Sequence, residues 1–159
     1  VNGAQANCAR RCETLDDFLA AYDNCMEIRE GTDIRRAVLE TLYASVGWSS
    51  YTSDPARLVR AVQNSSYVVT AWHDDALIGL ARGVSDDVSI FYLQDILVHP
   101  EHQRRGVGRA LLERCLERYA HVMQKVLLTD DKPAQLEFYA SLGYKNTRDL
   151  TLNAFVQMK

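Results

Sequence analysis

The run Asp95-Ile-Leu-Val-His-Pro-Glu-His-Gln103-Arg-Arg-Gly106-Val-Gly108-Arg-Ala-Leu-Leu112 decides how this chain is read. It predicts a strand, then a basic glycine-containing loop, then an amphipathic helix. Gly106 and Gly108 fall where loop turns into helix. Lacking Cβ, they permit unusual backbone angles and let a ligand come close. The first helical turn leaves N–H groups unpaired, and the helix dipole adds partial positive charge there. Arg104, Arg105 and Arg109 bring full charges to the same place. Together these features predict an anion site, with phosphate as the expected anion and a phosphorylated cofactor as its bearer. Two common phosphate motifs do not apply. There is no third glycine to complete Gly-x-Gly-x-x-Gly, and no Gly-Lys-Ser/Thr to complete a P-loop.

Working outward, the patterning predicts helices over 34–46 and from Ser53-Asp54-Pro55 onward, with Leu58, Val59 and Val62 on the inner face of the second. Tyr67–Trp72, Leu77–Val84 and Val88–Val98 predict a three-strand meander with turns at His73–Ala76 and Ser85–Asp87. After the glycine loop, Leu112, Cys115, Leu116, Tyr119, Val122 and Met123 keep helical spacing. Lys125–Thr129 predicts a short buried strand. Asp130–Pro133 opens a helix carrying Leu136, Tyr139 and Leu142, which Gly143 should stop. Tyr144–Arg148 and Leu150–Met158 predict a closing hairpin. An antiparallel meander followed by one crossover implies an α/β or α+β chain, its mixed sheet flanked by helices on both faces.

Composition bounds the rest. A chain of 159 residues, 47% of them hydrophobic, supports one well-buried core and is short for two ordinary domains. The expected organisation is an extension over 1–24, helical or disordered (Glu13–Tyr22 could form a short helix capped by Thr14), and a single domain over 25–159. A net charge of −3 gives no nucleic-acid footprint. No apolar run is long enough to cross a bilayer, and the N-terminal stretch lacks the apolar region of a signal peptide. The expected location is cytoplasmic, with a transit peptide as the alternative. Cys8 and Cys12 share helical spacing, but no second pair completes a metal site, so no metal is expected. Cys115 falls on the apolar stripe of its helix and reads as packed core.

Gln103-Arg104-Arg105-Gly106-Val107-Gly108 follows the pattern Gln/Arg-x-x-Gly-x-Gly/Ala, and Phe138-Tyr139-Ala-Ser-Leu-Gly143-Tyr144 follows about 30 residues later. In that order and spacing the two elements resemble the acetyl-CoA signature and the Phe-Tyr-x-x-x-Gly-Phe/Tyr element of the GNAT superfamily of N-acetyltransferases. The resemblance runs from about Met26 to the C-terminus. It implies a GNAT fold in which two neighbouring parallel strands, ending here near Val98 and Thr129, splay apart to admit the pantetheine arm. It also implies acetyl-CoA as the cofactor and a small-molecule or peptide amine as acceptor, with no nucleic-acid or membrane partner. Family habit and the closing strands are compatible with a homodimer.

Acetyl transfer from a thioester to an amine needs a held pyrophosphate, a neutral amine and help for the leaving sulfur. The resemblance assigns the first to Gln103, Arg104, Arg105, Gly106, Val107, Gly108, Arg109 and Ala110, and backbone contacts with the pantetheine to Leu97 and Val98. It assigns Tyr139 as donor to the sulfur; a phenol with a reference pKa near 10 stays protonated at neutral pH. Where family members often carry a glutamate base, this chain has Gln94, an amide that cannot take the proton. Asp95 is the candidate base, although neighbouring strand residues are expected to face opposite ways. A water chain, His73, or capture of the neutral fraction of substrate remain open. Lys132 stands where the family often has a cofactor-contacting asparagine. The loop Gly47-Trp48-Ser-Ser-Tyr51 supplies aromatic candidates for the acceptor site, with Gln94 beside them. Tyr43–Trp48 also resembles a subgroup that includes plant plastid acetyltransferases acting on aralkylamines and protein amino groups. The expected activity is N-acetyl transfer by direct attack in a ternary complex. The alternative is a catalytically impaired CoA-binding regulatory protein.

Overall fold

A computed structural model describes residues 26–157, which form two units divided between Leu127 and Leu128. The expected extension over 1–24, its helix, and Cys8 and Cys12 lie outside the described residues.

In the first unit, the strands β1 (Met26–Glu30), β2 (Tyr67–His73), β3 (Ala76–Ser85), β4 (Ile90–Val98) and β5 (Gln124–Leu127) form one sheet in sequence order. The first four pair antiparallel, and β5 pairs parallel to β4. The meander expected from β-branched and aromatic runs is therefore present, at the cost of small shifts in its bounds. The strand expected from Val88 starts at Ile90 because the Asp86 carboxylate accepts from the N–H groups of Val88, Ser89 and Ile90, at 3.0, 2.8 and 3.0 Å, and closes a turn there. The strand expected at 125–129 spans Gln124–Leu127, and its residues are at most half-buried.

Helix α1 (Arg36–Ser45) replaces the expected 34–46. The stretch read as an acceptor loop instead forms a one-turn helix, α2 (Ser49–Thr52). Helix α3 (Pro55–Gln63) starts as expected, with Pro55 in its first turn and the Asp54 carboxylate accepting from Arg57 N–H at 3.0 Å. These helices cover one sheet face: Leu39, Leu42 and Tyr43 of α1 and Leu58 and Val62 of α3 pack with Val68, Leu77, Leu80 and Leu97. Helix α4 (Val107–Arg118) makes the crossover from β4 to β5 and packs on the sheet through Val107, Leu111, Leu112 and Cys115. Gly79 admits it closely: a Cβ there would lie 3.0 Å from Leu111 and 3.1 Å from Val107.

The second unit contains α5 (Pro133–Ala140), which ends at Gly143 with φ +87°. The expected closing hairpin is not formed among the described residues. Asn146 accepts from Arg148 N–H at 3.0 Å and starts a 3-10 turn over Thr147–Leu150, and Thr151 then takes a left-handed backbone (φ 55°) that breaks any extended run. Leu152, Phe155 and Val156 beyond it are exposed, with no buried face to fix a strand register.

Candidate functional site

Strand β4 carries a bulge at Gln94. Arg82 of β3 pairs with Asp95 and Gly83 pairs with Leu93, which leaves Gln94 between them without a partner. Its effect is visible in the flanking side chains. Phe91 stacks on Tyr119 at the end of α4, with centroids 4.2 Å apart, whereas Asp95 bonds Tyr43 of α1 on the opposite face. Residues four apart on a regular strand would share a face. Gly83 is what makes room: a Cβ there would sit 2.5 Å from the Phe91 ring and 2.6 Å from the Tyr92 carbonyl.

The bulge corrects one expectation. Gln94 and Asp95 do not face opposite ways, because both reach the Tyr51 hydroxyl of α2. Gln94 Nε2 donates to it at 3.3 Å, and it donates to Asp95 Oδ1 at 2.8 Å. Asp95, 3% exposed, also accepts from Tyr43 Oη at 2.8 Å and Arg82 Nε at 2.5 Å. Arg82, 5% exposed, spends its other nitrogens on the Ala61 carbonyl, Ser65 Oγ and Tyr51 Oη. Burial works against the charge of Arg82, but Asp95 and Tyr43 outweigh it and raise its pKa. Burial, then the Asp95 carboxylate, pushes both the Tyr43 and Tyr51 phenols above their usual value, so both remain protonated donors. Trp48 stacks on Tyr51 at 5.9 Å, and Tyr51 lies 5.1 Å from Tyr43. The expected acceptor residues Trp48, Tyr51 and Gln94 are thus brought together with Asp95.

Beyond the bulge, β4 runs on past the end of β5. Their pairing runs from Ile90–Gln124 to Leu93–Leu127, and residues 94–98 continue with no β5 partner. Leu97 keeps its side chain in the core and pairs with Leu80, and Val98 pairs with Gly79. Gln103 Nε2 donates to the Val98 carbonyl at 2.9 Å, so this side chain ties the loop to the strand end.

The loop then makes two left-handed steps, Arg104 at φ 63° and Gly106 at φ 83°. Gly106 is the N-cap of α4 and supplies no side-chain cap. Ala110 N–H is the first to find a helical carbonyl, that of Gly106, at 2.9 Å. The N–H groups of Val107 and Gly108 belong to the first helical turn, which has no intrahelical carbonyl to bond. Among the described residues, a Cβ on Gly106 would meet nothing within 4 Å. Val107 is buried, and Arg109 is exposed and lies 3.5 Å from Glu113. This donor set, a helix N-terminus without a side-chain cap among the described residues and with Arg104 and Arg105 beside it, fits a pyrophosphate.

In the second unit Tyr139 is half-buried, 5.1 Å from Phe138 and 6.0 Å from Tyr144 between ring centroids. Burial raises its pKa, against a smaller opposing effect of Thr129, and keeps its proton on. Lys132 pairs with Asp130 at 2.8 Å, while Gln135 accepts from Thr129 Oγ1 at 2.6 Å.

Sequence reasoning missed Arg82 and Tyr43. A signal existed for Arg82: a cation inside the apolar run Leu77–Val84 must find a buried anion, and Asp95 inside the next apolar run was the nearest candidate. Nothing marked Tyr43 as the third partner.

The comparisons with known proteins agree with this geometry. A family model described as an acetyltransferase (GNAT) domain matches residues 35–158. An N-acetyltransferase of Prochlorococcus marinus named ycf52-like is 36% identical over 112 residues, covering 67% of this chain and 60% of that protein. The histone acetyltransferase TAP1 of Glycine max is 29% identical over 129 residues, covering 72% of this chain and 54% of that protein. The matches therefore span only about three fifths of the first relative and about half of the second. Among solved structures, the acetyltransferase GNAT family protein SP0256 from Streptococcus pneumoniae superposes with a TM-score of 0.76 at 26% identity, over 84% of this chain and 98% of that one.

Proposed function

Because this chain belongs to the GNAT acetyltransferase family, we propose that it moves an acetyl group from acetyl-CoA to a primary amine by direct attack in a ternary complex. One continuous stretch carries the reading: the part of β4 that runs past the end of β5 leads into a glycine-capped, arginine-flanked helix start. When bound, acetyl-CoA supplies an activated acetyl thioester. Arg104, Arg105 and the N–H groups of Val107 and Gly108 would hold its pyrophosphate, and the main chain at Leu97 and Val98 would line its arm.

The amine nitrogen forms the new bond to the acetyl carbon as the carbon–sulfur bond breaks. Its proton passes to solvent, and Tyr139 gives its own to the departing sulfur. The role of Tyr139 rests on its motif and on the burial that keeps its phenol protonated. We assign Asp95 to the scaffold and not to proton abstraction, because three donors occupy its carboxylate and one of them is a buried guanidinium. Residues 25–159 act as one acetyltransferase domain in this reading, and Trp48, Tyr51 and Gln94 receive the acceptor.

A second reading, a CoA-binding regulatory protein without catalysis, is favoured by one observation: no unpaired carboxylate stands at Gln94 or Asp95. Free-thiol release from acetyl-CoA across a panel of primary amines separates the two. Acceptor-dependent release supports the transferase. Cofactor binding with release no faster than without acceptor supports the regulatory protein.

A further inference from the structure

The polarity of the hydrogen bonds around Tyr51 fixes which way the Gln94 amide points. An ionised carboxylate only accepts, so Tyr51 must donate its single proton to Asp95. Its hydroxyl then has only lone pairs left. What Gln94 turns toward it at 3.3 Å must be the NH2 group, as must the Arg82 nitrogen at 3.4 Å. The Gln94 carbonyl oxygen consequently faces away from Tyr51, on an exposed side chain at the bulge, just past the last β4–β5 pair. A buried ion pair two bonds back thus dictates the orientation of a surface amide.

We propose that Gln94 Oε1 is the group that accepts a hydrogen bond from the N–H of the acceptor amine, and that Tyr51 is the positioning residue that presents it. This rests on the transferase reading above and deepens it. An amide oxygen orients an amine without taking its proton, so the side chain works as a locating acceptor where a carboxylate would work as a base. A freely rotating amide would offer its NH2 half the time and repel the amine N–H; the Asp95–Tyr51 chain removes that wrong orientation in advance. Tyr51 is suited to the task because its ring is held by Tyr43 and Trp48.

The test has two arms. In the first, the side-chain NH2 resonances of Gln94 are identified in 15N-labelled protein by their loss in Gln94→Glu, and then followed in Tyr51→Phe. The inference expects them to shift; resonances indifferent to the hydroxyl would overturn it. In the second, kcat/KM for the acceptor is measured for Tyr51→Phe in two backgrounds. With Gln94 present, loss of the hydroxyl should cost about tenfold, the value of one orienting hydrogen bond. In the Gln94→Glu background the penalty should vanish, because a carboxylate has an oxygen at both ends and needs no orienting. A merely structural Tyr51 would cost the same in both backgrounds, and that result would sink the idea. Absence of acetyl-CoA binding by the wild-type protein would instead count against the transferase reading, and the first arm would still decide the orientation of the amide.

Discussion

Arg82 Nε lies 2.5 Å from Asp95 Oδ2, and the two side chains are among the few charged groups buried in the first unit. Each comes from the middle of an apolar strand, and they meet directly beside the bulge that interrupts the β3–β4 register. Taking two charges out of water is costly. The pair persists because Tyr43, Tyr51, Ser65 and the Ala61 carbonyl satisfy what the ion pair leaves over. It fixes Tyr51 and, through it, Gln94.

Removing either member should therefore be severe. Arg82→Ala or Asp95→Ala leaves the other charge buried without its partner, a loss of about 3–5 kcal/mol in stability. Urea denaturation followed by circular dichroism measures this directly. A change within experimental scatter of zero would mean that the pair is solvated.

Gly83→Ala tests the bulge. The added methyl would drive into the Phe91 ring and the Tyr92 carbonyl, and the backbone atom has no freedom to yield. A loss of about 1–3 kcal/mol is expected from overpacking. Phe91→Leu in the same chain should recover part of it by relieving the ring contact alone.

Cys115 should be chemically silent in the folded protein. Burial, helped by Glu30, pushes its thiol from 9.0 up to about 12. The folded pKa is the higher one, so the contribution to stability is complete below about pH 9 and is lost as pH rises toward 12. Over that window this group alone should lower the unfolding free energy by about 1.4 kcal/mol per pH unit. Iodoacetamide at pH 8 with peptide mapping should leave Cys115 unmodified until denaturant is added.

Tyr139→Phe should lower kcat strongly and leave the affinity for acetyl-CoA nearly unchanged, because the lost proton serves the leaving sulfur and not binding. Steady-state kinetics against calorimetric affinity separates these. Unchanged kcat with an established acceptor would take the role away from Tyr139.

Much of this architecture was legible in the residues. The meander followed from β-branched alternation, the α3 start from Asp54-Pro55, the α5 stop from Gly143, and the anion loop from Gly106 among arginines. The bulge was not, although Gly83 carried its signal. A glycine inside a strand marks a bulge or a close approach without saying which opposing residue is extruded, and only the observed register places the extra residue at Gln94. The convergence of Tyr43, Tyr51, Arg82 and Asp95 depends on contacts between residues up to 52 apart in sequence, which periodicity cannot encode. The expected closing hairpin rests on alternation in Leu150–Met158 that resembles a strand, while the local capping by Asn146 and the left-handed Thr151 act against it.

The most direct measurement is a calorimetric titration with acetyl-CoA of the wild-type protein beside an Arg104→Ala/Arg105→Ala variant. Saturable binding by the wild type is expected, weakened about tenfold or more by loss of the two charges at the helix start. No heat with the wild type, or equal affinity in the two proteins, would contradict the assignment of this loop as the cofactor site.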